Sequence, residues 1–145
     1  MSEATRSGGC LCGGVRYTVA WPLQMLVTCS CTNCQKQSGS ALSVVGVVAR
    51  DDLALSGTLA TFTDRADSGN AVYRQFCNRC GSPVLTDTDA ARAQGIIFFK
   101  AGTLDRTDDL DPATHMWTRS AQGWMVFPDH HAKLPEQQDE TDGKA

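Results

Sequence analysis

The sequence predicts a single, mainly β domain. Short segments rich in β-branched and aromatic residues recur along the chain, bounded by Gly, Asp, Asn, Ser or Pro. No segment keeps an apolar period of about 3.6 residues over three turns, as a long amphipathic helix would. A length of 145 residues suits one domain with a hydrophobic core of its own. In chain order the strand candidates begin with VRYTV (15–19), after a pair of glycines, and LSVVGVV (42–48), after Ser40. LATFT (59–63) follows Gly57, and AVYRQF (71–76) follows Asn70. PVLTD (83–87) opens on a proline after Gly81 and Ser82, and GIIFFKAG (95–102) closes the series. Two short helical turns are expected, one in TNCQKQ after Cys31 and one in TDTDAARAQ (86–94), capped by Asp87 or Asp89. The segments 1–7 and 129–145 are expected to be a flexible N-terminus and a polar, disordered tail around a domain spanning 8–128.

Composition excludes some functions. The formal net charge is -3, with acidic and basic residues interspersed until the tail, so no patch presents the positive field that nucleic-acid phosphates require. The first residues carry no apolar leader segment, and no run is long enough to cross a bilayer. A cytoplasmic location is therefore expected. Thiols stay reduced there, and closely spaced cysteines serve as metal ligands more often than as disulfides. The odd count of seven cysteines agrees, because a disulfide framework would strand one thiol.

The cysteines fall into three groups: Cys10 and Cys12 in GGCLCGG, Cys29, Cys31 and Cys34 in TCSCTNC, and Cys77 and Cys80 in FCNRCGS. In C-x-x-C-G a tight turn brings two thiolates to one ion, and the glycine lets backbone N–H groups approach the sulfurs. A redox role for that pair would need a βαβ context, which the sequence lacks. Two separated pairs make one four-cysteine site, which leaves three thiolates for a second. A closed site of four ligands is structural and an open one is catalytic. The second site is open, closed by a histidine, or empty; the histidines are His115, in HMW, and His130 and His131 beside the tail.

GGCLCGGVRY, CSCTNCQKQSG, FCNRCGSPV, AGTLD and HMW follow one another in an order that resembles the glutathione-dependent formaldehyde-activating enzyme family, whose domain is shared with centromere protein V. The resemblance covers about residues 8 to 127. It implies a β-tent fold of short antiparallel strands with two zinc ions per chain. Cys10, Cys12, Cys77 and Cys80 would hold a structural zinc, and Cys29, Cys31 and Cys34 a second zinc whose fourth position serves chemistry. The implied activity is that of a carbon–sulfur lyase, the reversible addition of glutathione to formaldehyde to give S-hydroxymethylglutathione. The other functional class is a non-catalytic zinc module that binds a protein partner.

Further residues are candidates only by type. Arg16, Arg50, Arg74, Arg79 or Lys100 can meet the carboxylates of glutathione, but the default for each is a surface charge. Trp117, Trp124, Phe127, Phe98 and Phe99 can wall a pocket, although core is the default for aromatics in a small β domain. Ser38 and Ser40 either orient a ligand or cap a turn.

Overall fold

The computed structural model of the chain describes residues 4–136. Its strands are β1 (Thr5–Gly9), β2 (Arg16–Ala20), β3 (Met25–Cys29), β4 (Ser43–Ala49), β5 (Leu53–Ser56), β6 (Leu59–Arg65), β7 (Ala71–Cys77), β8 (Pro83–Thr88), β9 (Ile96–Lys100), β10 (Thr114–Met116) and β11 (Ala132–Leu134). Two short helices interrupt them, α1 (Thr32–Ser38) and α2 (Asp89–Gln94). The strands form a three-stranded sheet in the order β1-β2-β5 and an eight-stranded sheet in the order β11-β10-β3-β4-β9-β8-β7-β6. Pairing is antiparallel except at β10, which runs parallel to both β3 and β11. Among the described residues, no helix is long and apolar enough to cross a membrane.

Residue alternation sets the layers. In β2, Arg16 and Thr18 face outward while Tyr17 and Val19 are buried, the period of two of a half-covered sheet. Tyr17 and Val19 pack with Val48, Leu85, Ile97 and Phe99 of the large sheet, and this cluster is the main core between the sheets. The Phe99 ring meets Tyr17 edge-on at 5.6 Å. It also lies where a Cβ on residue 46 would sit, which is why β4 carries Gly46 at its centre. On the opposite face of the large sheet, Val27, Val45, Val47 and Phe98 pack under Ala91 of α2.

Three expectations change. Thr5–Ser7 belong to β1, paired with β2 from Thr5↔Ala20 onward. Arg6 lies over the Trp21 ring at 3.8 Å and donates to both oxygens of Asp109 at 2.8 and 2.6 Å. Those contacts hold residues 5–7 of the segment expected to be flexible, and residues 1–3 lie outside the described residues. At the other end, residues 129–136 include β11, and the remainder of the expected tail lies outside the described residues. Parallel backbone pairing with β10 orders β11, helped by the His115–His131 and Arg119–Glu136 contacts on either side of it. The cap of α2 is Thr88, whose Oγ1 accepts from the Ala91 N–H at 2.9 Å. Asp87 is not available for that role, because its carboxylate accepts from Arg50 at 3.1 and 2.6 Å and from Arg92 at 3.0 Å.

Phe99→Ala should lower unfolding stability by about 3–5 kcal/mol, as a fully buried aromatic is deleted. Phe62→Ala, at a position 61% exposed on β6, should change it by less than about 0.5 kcal/mol. Urea denaturation of the two variants beside the parent checks both values.

Candidate metal centres

Two tight loops, one from each sheet, build the first centre. Cys10 and Cys12 lie in the turn between β1 and β2, while Cys77 ends β7 and Cys80 lies in the turn that leads to β8. Gly13 and Gly81 both take φ near 80°, the left-handed backbone that closes each turn. The Val15 N–H donates to Cys10 Sγ at 3.2 Å and the Gly14 N–H to Cys12 Sγ at 3.4 Å. The Arg79 and Cys80 N–H groups donate to Cys77 Sγ at 3.4 and 3.5 Å. Ser82 Oγ lies 3.3 Å from Cys80 Sγ and accepts from the Leu11 N–H at 3.0 Å, tying the two loops together. The sulfurs of Cys10 and Cys12 are 3.6 Å apart and those of Cys12 and Cys77 3.8 Å. A tetrahedron of thiolates around an ion at metal–sulfur bonds of about 2.3 Å has edges of about 3.8 Å, so the loops are spaced to hold one ion.

The second centre is compact in sequence. Cys29 ends β3, Cys31 is the N-cap of α1, and Cys34 lies in its first turn. Cys31 Sγ accepts from the Cys34 N–H at 3.2 Å, so one sulfur both caps the helix and faces its neighbours. The three sulfurs lie within 4.8 Å of one another, and all three residues are fully buried. Gln35 donates to the Ser30 carbonyl at 2.8 Å and to the Ser120 carbonyl at 2.9 Å, pinning a loop over the group. Trp117 packs on the cysteines in the left-handed conformation, φ 58°, which is uncommon for a bulky residue.

Crowding of the thiols favours a cation. Hydrogen bonding to Cys31 and Cys34 drives the Cys29 thiol upward, while the bonds from Cys29 and Cys31 hold Cys34 well below its ordinary value. One charge in the group suppresses the next, and a bound metal ion removes that conflict. Positive charge from Lys100 and Arg74 also favours the Cys34 thiolate. Both are buried, and strand register explains their direction. Cys29 is opposite Ser43, Val45 opposite Lys100, Phe98 opposite Thr86, and Thr86 opposite Arg74. With side chains alternating along each strand, Cys29, Ser43, Lys100, Thr86 and Arg74 share one face of the large sheet.

His115 does not join the three cysteines. Its Nδ1 hydrogen-bonds Thr28 Oγ1 at 2.8 Å and its Nε2 hydrogen-bonds His131 Nδ1 at 2.9 Å, which commits both ring nitrogens. Phe127 packs on the same ring at 4.5 Å, and His130 meets His131 edge-on. Among the described residues the second group has three ligands. Of the other candidates, Arg16 pairs with Asp105 and Arg50 with Asp87, while Arg79 and Trp124 are exposed. Phe98 and Phe99 are core. Ser38 donates to the Cys34 carbonyl and Ser40 to the Leu42 carbonyl, each at 2.7 Å, so both fasten the end of α1. The residues that sequence reasoning missed are Asp64 and Asn33. Asp64 accepts from Arg74 Nε at 3.0 Å and from Asn33 Nδ2 of α1 at 3.3 Å, and no spacing in the sequence signals that link.

Native mass spectrometry of the reduced protein should record two metal ions per chain, and Cys34→Ser should record one. A maximum of one ion in the parent after metal is supplied in excess, with the cluster thiols still open to alkylation, would contradict two centres.

The family described as glutathione-dependent formaldehyde-activating enzyme matches residues 5–120. Proteins of Aspergillus flavus and Aspergillus oryzae, provisionally named for the same activity, are each 33% identical over 85 residues. That alignment takes in 55% of this chain and 44% of theirs, so the chain matches less than half the length of these relatives. A crystal structure of a Rhodobacter sphaeroides protein shares the fold, with a TM-score of 0.54 and 16% identity over 71% of this chain and 91% of that one. The match over residues 5–120, a range that takes in β1 to β10 and all seven cysteines, places this chain in the glutathione-dependent formaldehyde-activating enzyme family.

Proposed function

We propose that the chain is a zinc-dependent carbon–sulfur lyase that catalyses the reversible addition of glutathione to formaldehyde. The product is S-hydroxymethylglutathione. The observation that carries this reading is the group of three buried cysteines, to which the described residues add no fourth ligand. Three protein ligands and an exchangeable fourth position characterise catalytic zinc, whereas four thiolates characterise structural zinc. Zinc bound at Cys29, Cys31 and Cys34 would supply Lewis acidity and favour the ionised form of a thiol. All-sulfur donor sets suit zinc among the common divalent ions.

The chain's own residues supply the remainder. Trp117 and the loop pinned by Gln35 exclude water from the three sulfurs. Lys100 and Arg74 offset the negative charge that three thiolates concentrate there, which limits the loss of electrophilicity those ligands impose. Cys10, Cys12, Cys77 and Cys80 take the structural role, since they join segments far apart in sequence. All seven cysteines are free thiols, in keeping with a reducing, glutathione-rich cytoplasm.

Exchange NMR between free and adducted formaldehyde, in the presence of glutathione, tests the activity against the fast uncatalysed background. The protein should raise the exchange rate in both directions, and Cys31→Ser should abolish the excess. No excess with glutathione, cysteine or other small thiols would turn the reading to a zinc module that binds a protein partner.

The division of roles predicts two different failures. Cys77→Ser should unfold the protein or leave it insoluble, because metal binding there is part of the folding free energy. Cys31→Ser should stay folded and lose only the second ion. Equal destabilisation of the two variants in thermal melts would overturn the division.

A further inference from the structure

A cleft of about 310 Å³ lies between the two cysteine groups. One wall is the end of α1, with Ser38 and Ser40, and the other is the turn that carries Ser82, whose hydroxyl meets Cys80. Ser43, Thr103 and Lys100 complete its polar lining, and Lys100 is the one charged residue that lines it. The volume is at the small end of the range for small-molecule sites.

Lys100 is only 6% exposed. Its Nζ donates to Ser43 Oγ at 2.8 Å, and among the described residues no carboxylate pairs with it. A buried ammonium with one neutral hydrogen-bond partner is costly unless a counter-charge is supplied. The cysteine group lies on one side of it, through Ser43, which stands opposite Cys29. Lys100 and Ser43 both line the cleft. The hydroxyls around the cleft have spent their protons on the chain: Ser38 on the Cys34 carbonyl, Ser40 on the Leu42 carbonyl and Thr103 on the Lys100 carbonyl. Their oxygens keep lone pairs that can accept from a ligand's N–H groups. A cation beside hydroxyl acceptors matches the carboxylate and amino groups of an amino-acid headgroup.

We propose that this cleft binds the carboxylate end of a small peptide thiol, with Lys100 Nζ as the partner of the carboxylate. Lys100 thereby selects thiols that carry a carboxylate over neutral ones of the same size. The inference rests on the proposed function only for the thiol's role as substrate, because the subsite itself stands on Lys100 and the cleft around it.

S-methylglutathione separates the two. Its sulfur is blocked, so it does not add to formaldehyde, but its carboxylates and amine are intact. Calorimetric titration of the metal-loaded protein should show it binding, and its dimethyl ester should bind about tenfold more weakly or worse. Lys100→Met should weaken binding of the acid by a similar factor, and Lys100→Arg should restore part of it. Gly102→Leu provides an independent arm, since Gly102 lines the cleft, a Cβ there meets nothing within 4 Å, and the substitution adds bulk without altering any charge. It should abolish binding while thermal melts show a folded protein. If Lys100→Met fails to fold, the ester and Gly102→Leu decide. Equal affinity for acid and ester, no binding by the parent, or unchanged binding in folded Gly102→Leu would each overturn the subsite. Binding as expected without formaldehyde exchange would count against the proposed activity alone.

Discussion

Cys12 and Cys77 stand 65 positions apart in sequence and their sulfurs meet at 3.8 Å. That meeting joins the turn of the small sheet to a turn of the large one, and much else in the molecule is placed by it. The Ser82 hydroxyl is brought to Leu11 and Cys80 there, which fixes one wall of the cleft. The main core of Tyr17, Val19, Val48, Leu85, Ile97 and Phe99 lies between the same sheets, so burial and ligand geometry act on one joint. A small domain gains from such a clamp because the apolar area between two short sheets is limited.

Six strands were legible because their β-branched and aromatic residues mark them, and each appears within a residue or two of its expected bounds. Five strands were missed, β1, β3, β5, β10 and β11: β3 carries the mark in Val27 and Thr28 but runs straight into the cysteine cluster, and LALS in β5 has no β-branched or aromatic residue. TRSGG in β1 is polar and glycine-rich, while THM in β10 and AKL in β11 are three residues long and held by parallel backbone pairing. Backbone bonding is blind to side-chain type, so composition gives no hint of it. The α2 cap moved to Thr88 for a similar reason, since only the tertiary structure reveals that Asp87 serves two arginines.

The site divides in the same way. The two pairs and the triplet of cysteines were readable from spacing, because each is local to one short segment, and the structure brings the two pairs together as one group. The assignment of Lys100 was not, since a lysine reads as a surface charge until register shows it beneath the sheet face that carries Cys29. Arg74 is buried in the same layer; its Nε is engaged by Asp64, and among the described residues Nη1 and Nη2 have no hydrogen-bond partner. Burying two cations is unfavourable on its own. The ionised form of Cys34, which Lys100 and Arg74 favour, offers a counter-charge beside them.

The sulfur of Cys31 sits at the start of a helix of seven residues. So short a helix does not persist alone in water, because the cost of nucleation is not repaid by so few hydrogen bonds. Its order is borrowed, from that sulfur at one end and from the Gln35 bridges and the Ser38 and Ser40 fastenings further on. The far end of α1 is a wall of the cleft. A metal held at one end of the helix and a ligand bound at the other would therefore draw on a single folding equilibrium, and the two would be thermodynamically linked.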